Sequence, residues 1–177
     1  VYVSRNRGVR WESLGATLPS TPVHDLAVQA RVGELVLGSH GRGAWILDLA
    51  PIRGLTEEAA AAPLHLFPIR TVIADWFPWE TVPGDRRGRN SARFQVASRA
   101  GGSADVTVRD SAGAVVRRWQ MTLVPGVNTL TWDLQTERGP GPLGDVRPGR
   151  YTVEISGAGA RVSGSIEVAA DPLGKPR

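Results

Sequence analysis

The chain has 177 residues, 41% of them hydrophobic, and its 21 basic and 17 acidic residues give a formal net charge of +4. This composition excludes a disordered chain, and the length accommodates one large domain or two small ones. The absence of cysteine excludes disulfides and thiolate metal sites, and no apolar run approaches the roughly 18 residues of a membrane span. The arginines are scattered, apart from Arg86, Arg87 and Arg89, so we expect no nucleic-acid partner.

Short apolar runs separated by turn signals fill residues 1–49. They predict four strands, at Val1–Ser4, Asp25–Gln29, Glu34–Ser39 and Ala44–Leu49. The last two strands carry apolar residues at consecutive positions, which is typical of strands covered on both faces. This pattern favours a meander within a β-propeller blade.

The start of the chain resembles the Asp-box of BNR-repeat propellers, Ser/Thr-x-Asp-x-Gly-x-Thr-Trp. Ser4, Gly8 and Trp11 stand at matching positions, whereas Asn6 replaces the aspartate and Arg10 the threonine. The resemblance implies that Asn6 binds backbone amides, that Gly8 adopts a positive φ and that Trp11 plugs the blade. Because asparagine lowers the local charge, we expect a solvated turn and no calcium site.

Residues 34–48 contain Gly-Ser-His-Gly-Arg-Gly-Ala-Trp. With Pro22–Val28, they resemble the closing blade of sortilin-like and BNR-repeat propellers. The resemblance implies an exported protein, extracellular or periplasmic, whose export signal we expect upstream of Val1. A single blade cannot bury its own apolar faces and strand edges. The predicted partners are therefore the missing propeller blades, which belong either to a longer protein, the interpretation we favour, or to another chain that completes the propeller.

Residues 50–90 are rich in proline and are predicted to form a connector. Leu55–Pro63 predicts a short helix with Thr56 as its N-cap, and Leu64–Phe67 predicts an edge strand. Three aromatic residues of the connector either pack against a neighbouring domain or stack on sugar rings of a glycan. These candidate ligand-binding residues are Trp76, Phe77 and Trp79.

Period-two alternation returns in residues 91–170, and residues 171–177 form a tail. The predicted strands are Arg93–Ala97, Asp105–Arg109, Val115–Trp119, Asn128–Leu134, Tyr151–Ser156 and Ser163–Val168. Trp119, Trp132 and Tyr151 are the expected core anchors of a β-sandwich. The order of Val106–Asp110, Trp132-Asp133 and Pro148-Gly149-Arg150-Tyr151 resembles the Ig-like module of flagellar hook-capping proteins and other exported bacterial proteins.

The predicted fold class is therefore all-β: the last blade of a partial β-propeller, followed by an Ig-like or fibronectin-type-III-like β-sandwich. The arginine bias, together with turns rich in alanine and glycine, favours a bacterial coding sequence.

One set of residues could be assembled into a nucleophilic triad, although its spacing neither supports nor forbids this. The set is His24, Asp25, Ser39, His40 and Asp48. The sequence has no nucleophile elbow, and the competing interpretation is that both histidines bind backbone at blade turns. We predict no catalytic residues, no metal site and no cofactor.

Two hypotheses about function follow. In the first, the chain is a non-catalytic structural and interaction piece of an exported propeller protein, which binds a protein or glycan ligand. In the second, it is the accessory C-terminal region of a BNR-type glycoside hydrolase, because some BNR-repeat propellers are glycosidases. The carboxylates give no facing acid–base pair, since Glu57 and Glu58 are neighbours on a helix and Asp105, Asp110 and Asp133 fall at strand ends or turns. An active site of that class would therefore lie in the missing blades.

Overall fold

The computed structural model describes residues 1–4, 6–13, 20–74, 91–137, 146–170 and 172. The fold is all-β, as predicted: the described residues form thirteen strands and two short helices. The chain divides into two compact units, Val1–Ile52 and Arg53–Arg177. The first contains a blade-like meander and the second a β-sandwich. No helix in the described part of the chain is long and apolar enough to cross a membrane.

The first unit contains two antiparallel sheets. Strands β1 (Tyr2–Val3) and β2 (Glu12–Ser13) form a short hairpin. Strands β3 (Val23–Gln29), β4 (Glu34–Ser39) and β5 (Ala44–Asp48) form a meander with β4 in the centre. The core of this unit is small: Leu35, Leu37 and Leu49 are buried, with Val1, Val23, Leu47 and Ile52 packed against them.

Two short helices follow the meander. Helix α1 covers Ala50–Gly54, and the predicted helix in the connector is α2, Glu57–Ala61. Thr56 is its N-cap, as predicted, because its hydroxyl oxygen accepts a hydrogen bond of 3.2 Å from the Ala59 amide. Two glutamates occupy the first turn, where the positive end of the helix dipole stabilises their carboxylates.

The second unit is a sandwich of two sheets. The larger has the order β10-β9-β12-β13-β7 and the smaller the order β11-β8-β6. The strands are β6 (Leu64–Leu66), β7 (Val72–Ile73), β8 (Ala92–Ser98), β9 (Gly102–Arg109), β10 (Val115–Leu123), β11 (Gly126–Trp132), β12 (Gly149–Gly157) and β13 (Ala160–Ala169). The pairs are antiparallel except β7 with β13, where Val168 lies opposite Val72 and Ala169 opposite Ile73.

Alternate residues of both sheets point into a shared core. In β8, Phe94 and Val96 are buried, and in β12, Val153 and Ile155 are buried. This period of two explains why the alternation in the sequence located the strands. The predicted anchor Trp132 is 1% exposed.

The structure refines two expectations about the sandwich. Strands β6 and β7 belong to its sheets although they lie upstream of Ser91, because β6 pairs with β8 and β7 with β13. Trp119 packs against the core but is only half buried. It lies on β10, which is the edge strand of the larger sheet among the strands that the structure describes.

Candidate functional site

The predicted ligand-binding residues Trp76, Phe77 and Trp79 lie outside the described residues. Their role in packing or in glycan stacking stays a prediction. The structure does describe the other candidate residues, which are serine, histidine and aspartate side chains of the first unit and aspartate and aromatic side chains of the sandwich. The contacts of these side chains are described below, unit by unit.

The turn between β4 and β5 is held by side chains of the Gly-Ser-His-Gly-Arg-Gly-Ala-Trp motif. The Ser39 hydroxyl donates to the Gly43 carbonyl at 2.6 Å, and the Ser39 amide donates to the same oxygen at 3.1 Å. Gly41 and Gly43 have φ angles of +74° and +71°, which favour glycine. The Trp45 indole donates to the Arg42 carbonyl at 3.1 Å. The motif is thus explained by the geometry of one tight turn.

The β1–β2 hairpin is also closed by side-chain hydrogen bonds, a glycine with positive φ and a tryptophan indole. The Asn6 side-chain oxygen accepts from the Arg10 amide at 2.7 Å, and Gly8 has a φ of +88°, as the Asp-box resemblance implied. The Ser4 hydroxyl oxygen accepts from the Gly8 amide at 2.6 Å. The Trp11 indole donates to the Gly8 carbonyl at 3.0 Å. Both hairpins therefore close with a tryptophan bonded to the carbonyl three residues before it.

One expectation for this hairpin is wrong. Trp11 does not plug the unit, because its side chain is 61% exposed. The indole folds back over its own turn, where a Cβ on Gly8 would lie 3.9 Å from its ring. The bond to the Gly8 carbonyl holds the ring in that position.

The candidate triad residues mostly serve local turns. Besides Ser39, the Asp25 carboxylate accepts from the Leu26 amide at 2.8 Å, and the Asp48 carboxylate accepts from the Ala50 amide at 2.9 Å. The proton of the Ser39 hydroxyl points to a backbone carbonyl rather than to a histidine. The structure does not assemble Ser39 into a nucleophile–base pair.

The structure brings His24 and His40 together. Their ring centroids lie 5.3 Å apart, and the ring planes are inclined at 53°. His24 falls in a β-bulge, since Val23 pairs with Ser39 and Asp25 with Gly38, which leaves His24 unpaired. The spacing of 16 residues in the sequence carries no signal of this contact, because it depends on the bulge.

The backbone of His40 is bound from both sides to the segment that precedes His24. The His40 amide donates to the Pro22 carbonyl at 3.0 Å, and the Thr21 hydroxyl donates to the His40 carbonyl at 3.1 Å. His24 also lines an open surface depression of about 500 Å³ with Val1, Thr21, Val23, Asp25 and Leu26. Among the described residues, no three histidine, cysteine or carboxylate side chains are grouped as metal ligands.

Asp110 and Asp133 order turns, as expected, whereas Asp105, which was expected at a strand end, lies in the interior of β9 (Gly102–Arg109). Asp110 accepts from the amides of Ala112 and Ala114, at 3.0 and 2.9 Å. Asp133 accepts from the Gln135 amide at 3.2 Å. Asp105 instead accepts from the side-chain amide of Gln120, on the neighbouring strand, at 2.8 Å.

Two aromatic side chains close one end of the sandwich. The Trp132 indole donates to the Gln135 carbonyl at 3.0 Å, and the Tyr151 hydroxyl donates to the Arg147 carbonyl at 2.6 Å. Burial raises the pKa of the Tyr151 hydroxyl, and the negative charge of Asp110 raises it further. The Trp-Asp and Pro-Gly-x-Tyr elements of the sequence are explained by these structural bonds.

No protein-family model matches the chain, and no curated protein does either. Among solved structures, dimeric latent PorU from Porphyromonas gingivalis is similar at a TM-score of 0.38 and 14% identity, over 78% of this chain and 12% of that one. PorZ, a bacterial surface component of the type-IX secretion system of the same organism, is similar at a TM-score of 0.32 and 15% identity, over 85% of this chain and 23% of that one. S.CueP is similar at a TM-score of 0.29 and 18% identity, over 78% and 70% of the two chains. The chain thus spans less than a quarter of PorU or PorZ.

Proposed function

We propose that this chain is a non-catalytic structural and interaction region of an exported β-propeller protein. Its meander of β3, β4 and β5 packs between neighbouring blades, and its sandwich is an Ig-like module. The observation that carries the proposal is the exposure of large apolar side chains on the meander, with Leu26 and Val28 on one face and Ile46 on the other.

The strand register shows which side chains share each face. Leu26, Leu37 and Trp45 lie side by side on one face. Ala27, Val36 and Ile46 lie side by side on the opposite face. An antiparallel sheet with one face in water carries polar residues there. This meander has an apolar row on each face, and on the second face a polar row of Gln29, Glu34 and Asp48 lies beside it.

Large apolar side chains of the meander are left exposed. Ile46 is 65% exposed, Val28 is 57% exposed and Leu26 is 52% exposed. Leu26 and Val28 lie on one face of the meander and Ile46 on the other, and exposed apolar residues on a sheet face are typical of a surface that another protein element covers. A neighbouring blade is such an element, because the stacked sheets of a propeller cover each other's faces.

The finer assignment, to sortilin-like and BNR-repeat propellers, rests on the closing-blade motif. In support of it, Ser39, Gly43 and Trp45 of that motif build one specific turn. Export to the periplasm or the extracellular space is proposed from the same resemblance. The partners in this proposal are the neighbouring blades, with a protein or glycan ligand for the assembled protein.

The proposal is tested by a charge on the exposed face. Ile46→Arg is introduced both into residues 1–177 and into the longer protein that supplies the other blades, with Thr131→Arg, at an exposed position of β11, as the control. In the 177-residue chain, we expect both changes to alter the free energy of unfolding by about 0.5 kcal/mol or less. In the longer protein, Ile46→Arg buries an unpaired charge and costs several kcal/mol, whereas Thr131→Arg stays neutral. Equal tolerance of both variants in the longer protein would contradict the proposal.

A further inference from the structure

We propose that His24 and His40 form a binding site for a divalent transition-metal ion of the zinc, nickel and copper class. The site lies at the end of the meander where the β3 bulge meets the β4–β5 turn. This inference concerns the first unit by itself and does not depend on the proposed function.

The separation of the two imidazole rings matches that of two ligands of one metal ion. A metal–nitrogen distance of about 2.0–2.1 Å places the centroids of two imidazoles on one tetrahedral ion roughly 5 Å apart. The observed separation is 5.3 Å, and the rings are inclined at 53° rather than stacked in parallel. Rotation of the two exposed side chains can therefore bring one nitrogen of each ring to a shared ion without a change in the distance between the rings.

The backbone positions both ligands in advance. His24 is the extra residue of a β-bulge, a feature that redirects a side chain away from the regular pleat. His40 is tied to the segment before His24 by its bonds to Pro22 and Thr21, at 3.0 and 3.1 Å. The backbones of the two histidines are thus fixed relative to each other, so the entropy lost on binding an ion is mainly that of the two side chains.

The ligand type sets the chemical class of the ion. Imidazole nitrogen suits zinc, copper and nickel, whereas calcium and magnesium require sets of oxygen ligands. In the described part of the chain, no further histidine, cysteine or carboxylate joins the pair as a third ligand. The remaining coordination positions therefore belong to water or to an incoming ligand, which the open surface depression beside His24, about 500 Å³, leaves accessible.

An edge contact between two rings, with no affinity for metal, is the alternative role for this pair. Titration calorimetry with ZnCl₂ on untagged residues 1–177 separates the two roles. His65 provides a matched control, because it is the third histidine of the chain and its ring packs against Phe67 with centroids 4.9 Å apart. We expect one equivalent of Zn²⁺ to bind the unmodified chain and the His65→Ala variant with the same affinity.

His24→Ala and His40→Ala are each expected to weaken zinc binding by at least about tenfold, since each removes one of two protein ligands. Both residues are exposed, so circular dichroism is expected to show unchanged folding. A measurement on the unmodified chain complements the variants: substoichiometric Cu²⁺ broadens the imidazole proton resonances of His24 and His40 before those of His65. Absence of zinc binding, equal loss of affinity in His65→Ala, or uniform broadening of all three histidines would overturn the proposal.

Discussion

Trp132 and Tyr151 meet edge to face, with ring centroids 5.4 Å apart and ring planes at 66°. Each ring is packed against the sandwich core, and each donates its polar hydrogen to a carbonyl of a nearby turn, Gln135 for the indole and Arg147 for the phenol. The pair therefore fixes the course of two turns at one end of the sandwich while it fills the space between the sheets.

Removing the Tyr151 hydroxyl measures the contribution of its hydrogen bond separately from the packing of the ring. Tyr151→Phe keeps the ring but deletes the 2.6 Å bond to the Arg147 carbonyl. We expect a loss of about 1 kcal/mol in the free energy of unfolding, the typical net value of such a bond. Urea unfolding measures it, with Thr152→Ala, at the next and exposed position, as the control. An unchanged Tyr151→Phe midpoint would mean that the bond contributes nothing.

The pH dependence of stability gives a second test of the same residue. Burial, assisted by the charge of Asp110, raises the pKa of Tyr151 in the folded state. The folded state therefore holds its proton when the unfolded state, with a tyrosine pKa of about 10, begins to lose it. The contribution of this group is fully present below about pH 10 and is lost as the pH rises through the folded pKa.

Unfolding curves at pH 8 to 11 check this expectation. The stability of the unmodified chain falls in the upper part of the range, and Tyr151→Phe shows a smaller fall because it has no group to ionise at this site. Parallel pH profiles for the two proteins would show that another group is responsible.

Asn128 holds the loop between β10 and β11. Its side chain accepts from the Val124 amide at 2.9 Å and donates to the Val124 and Gly126 carbonyls at 2.9 and 3.1 Å. Because Asn128 is only 8% exposed, water does not readily replace these bonds. We expect Asn128→Ala to cost about 1–3 kcal/mol. Thr129→Ala, on the exposed face of the same strand, is the control, and a similar cost for both would count against the bonds.

Two strand glycines differ in what a side chain would meet. A Cβ on Gly157 would lie 2.8 Å from the Ala104 Cβ and 2.9 Å from the Ser103 carbonyl, whereas a Cβ on Gly164 would meet the mobile end of Leu66 at 2.9 Å. We therefore expect Gly157→Ala to destabilise the sandwich by about 1–3 kcal/mol and Gly164→Ala by less. Thermal unfolding of both variants gives the order, and the reverse order would contradict this packing argument.

Regular strands and turn chemistry could be predicted from the sequence because both are local. Glu34–Ser39 was predicted with the bounds that the structure gives, and Thr56 with its capping role. The strand predicted to end at Leu134 ends at Trp132, because the Asp133 carboxylate begins a turn in which Leu134 has a φ of +56°.

Long-range features could not be predicted in this way. The two-residue strand Val72–Ile73 is defined by its parallel pairing with β13, nearly a hundred residues later in the chain. The contact of His24 with His40 depends on a β-bulge that no residue type in the sequence predicts. Trp11 was expected to plug the blade, but the motif determines only the turn. The direction of the indole ring depends on its hydrogen bond to the Gly8 carbonyl.

The most direct test of the packing proposed for the meander is the reactivity of a single thiol at Ile46. The chain has no cysteine, so Ile46→Cys gives residues 1–177 one labelling site, and Thr131→Cys gives an exposed control. Maleimide labelling, mapped by mass spectrometry, is carried out on the 177-residue chain and on the longer protein that is proposed to supply the other blades. We predict that both thiols react rapidly in the 177-residue chain. In the longer protein, labelling at position 46 slows by at least about tenfold, because an adjacent blade excludes the reagent. Labelling at position 131 keeps its rate. Equally rapid labelling at position 46 in both proteins would show that this face stays uncovered and would contradict the proposal.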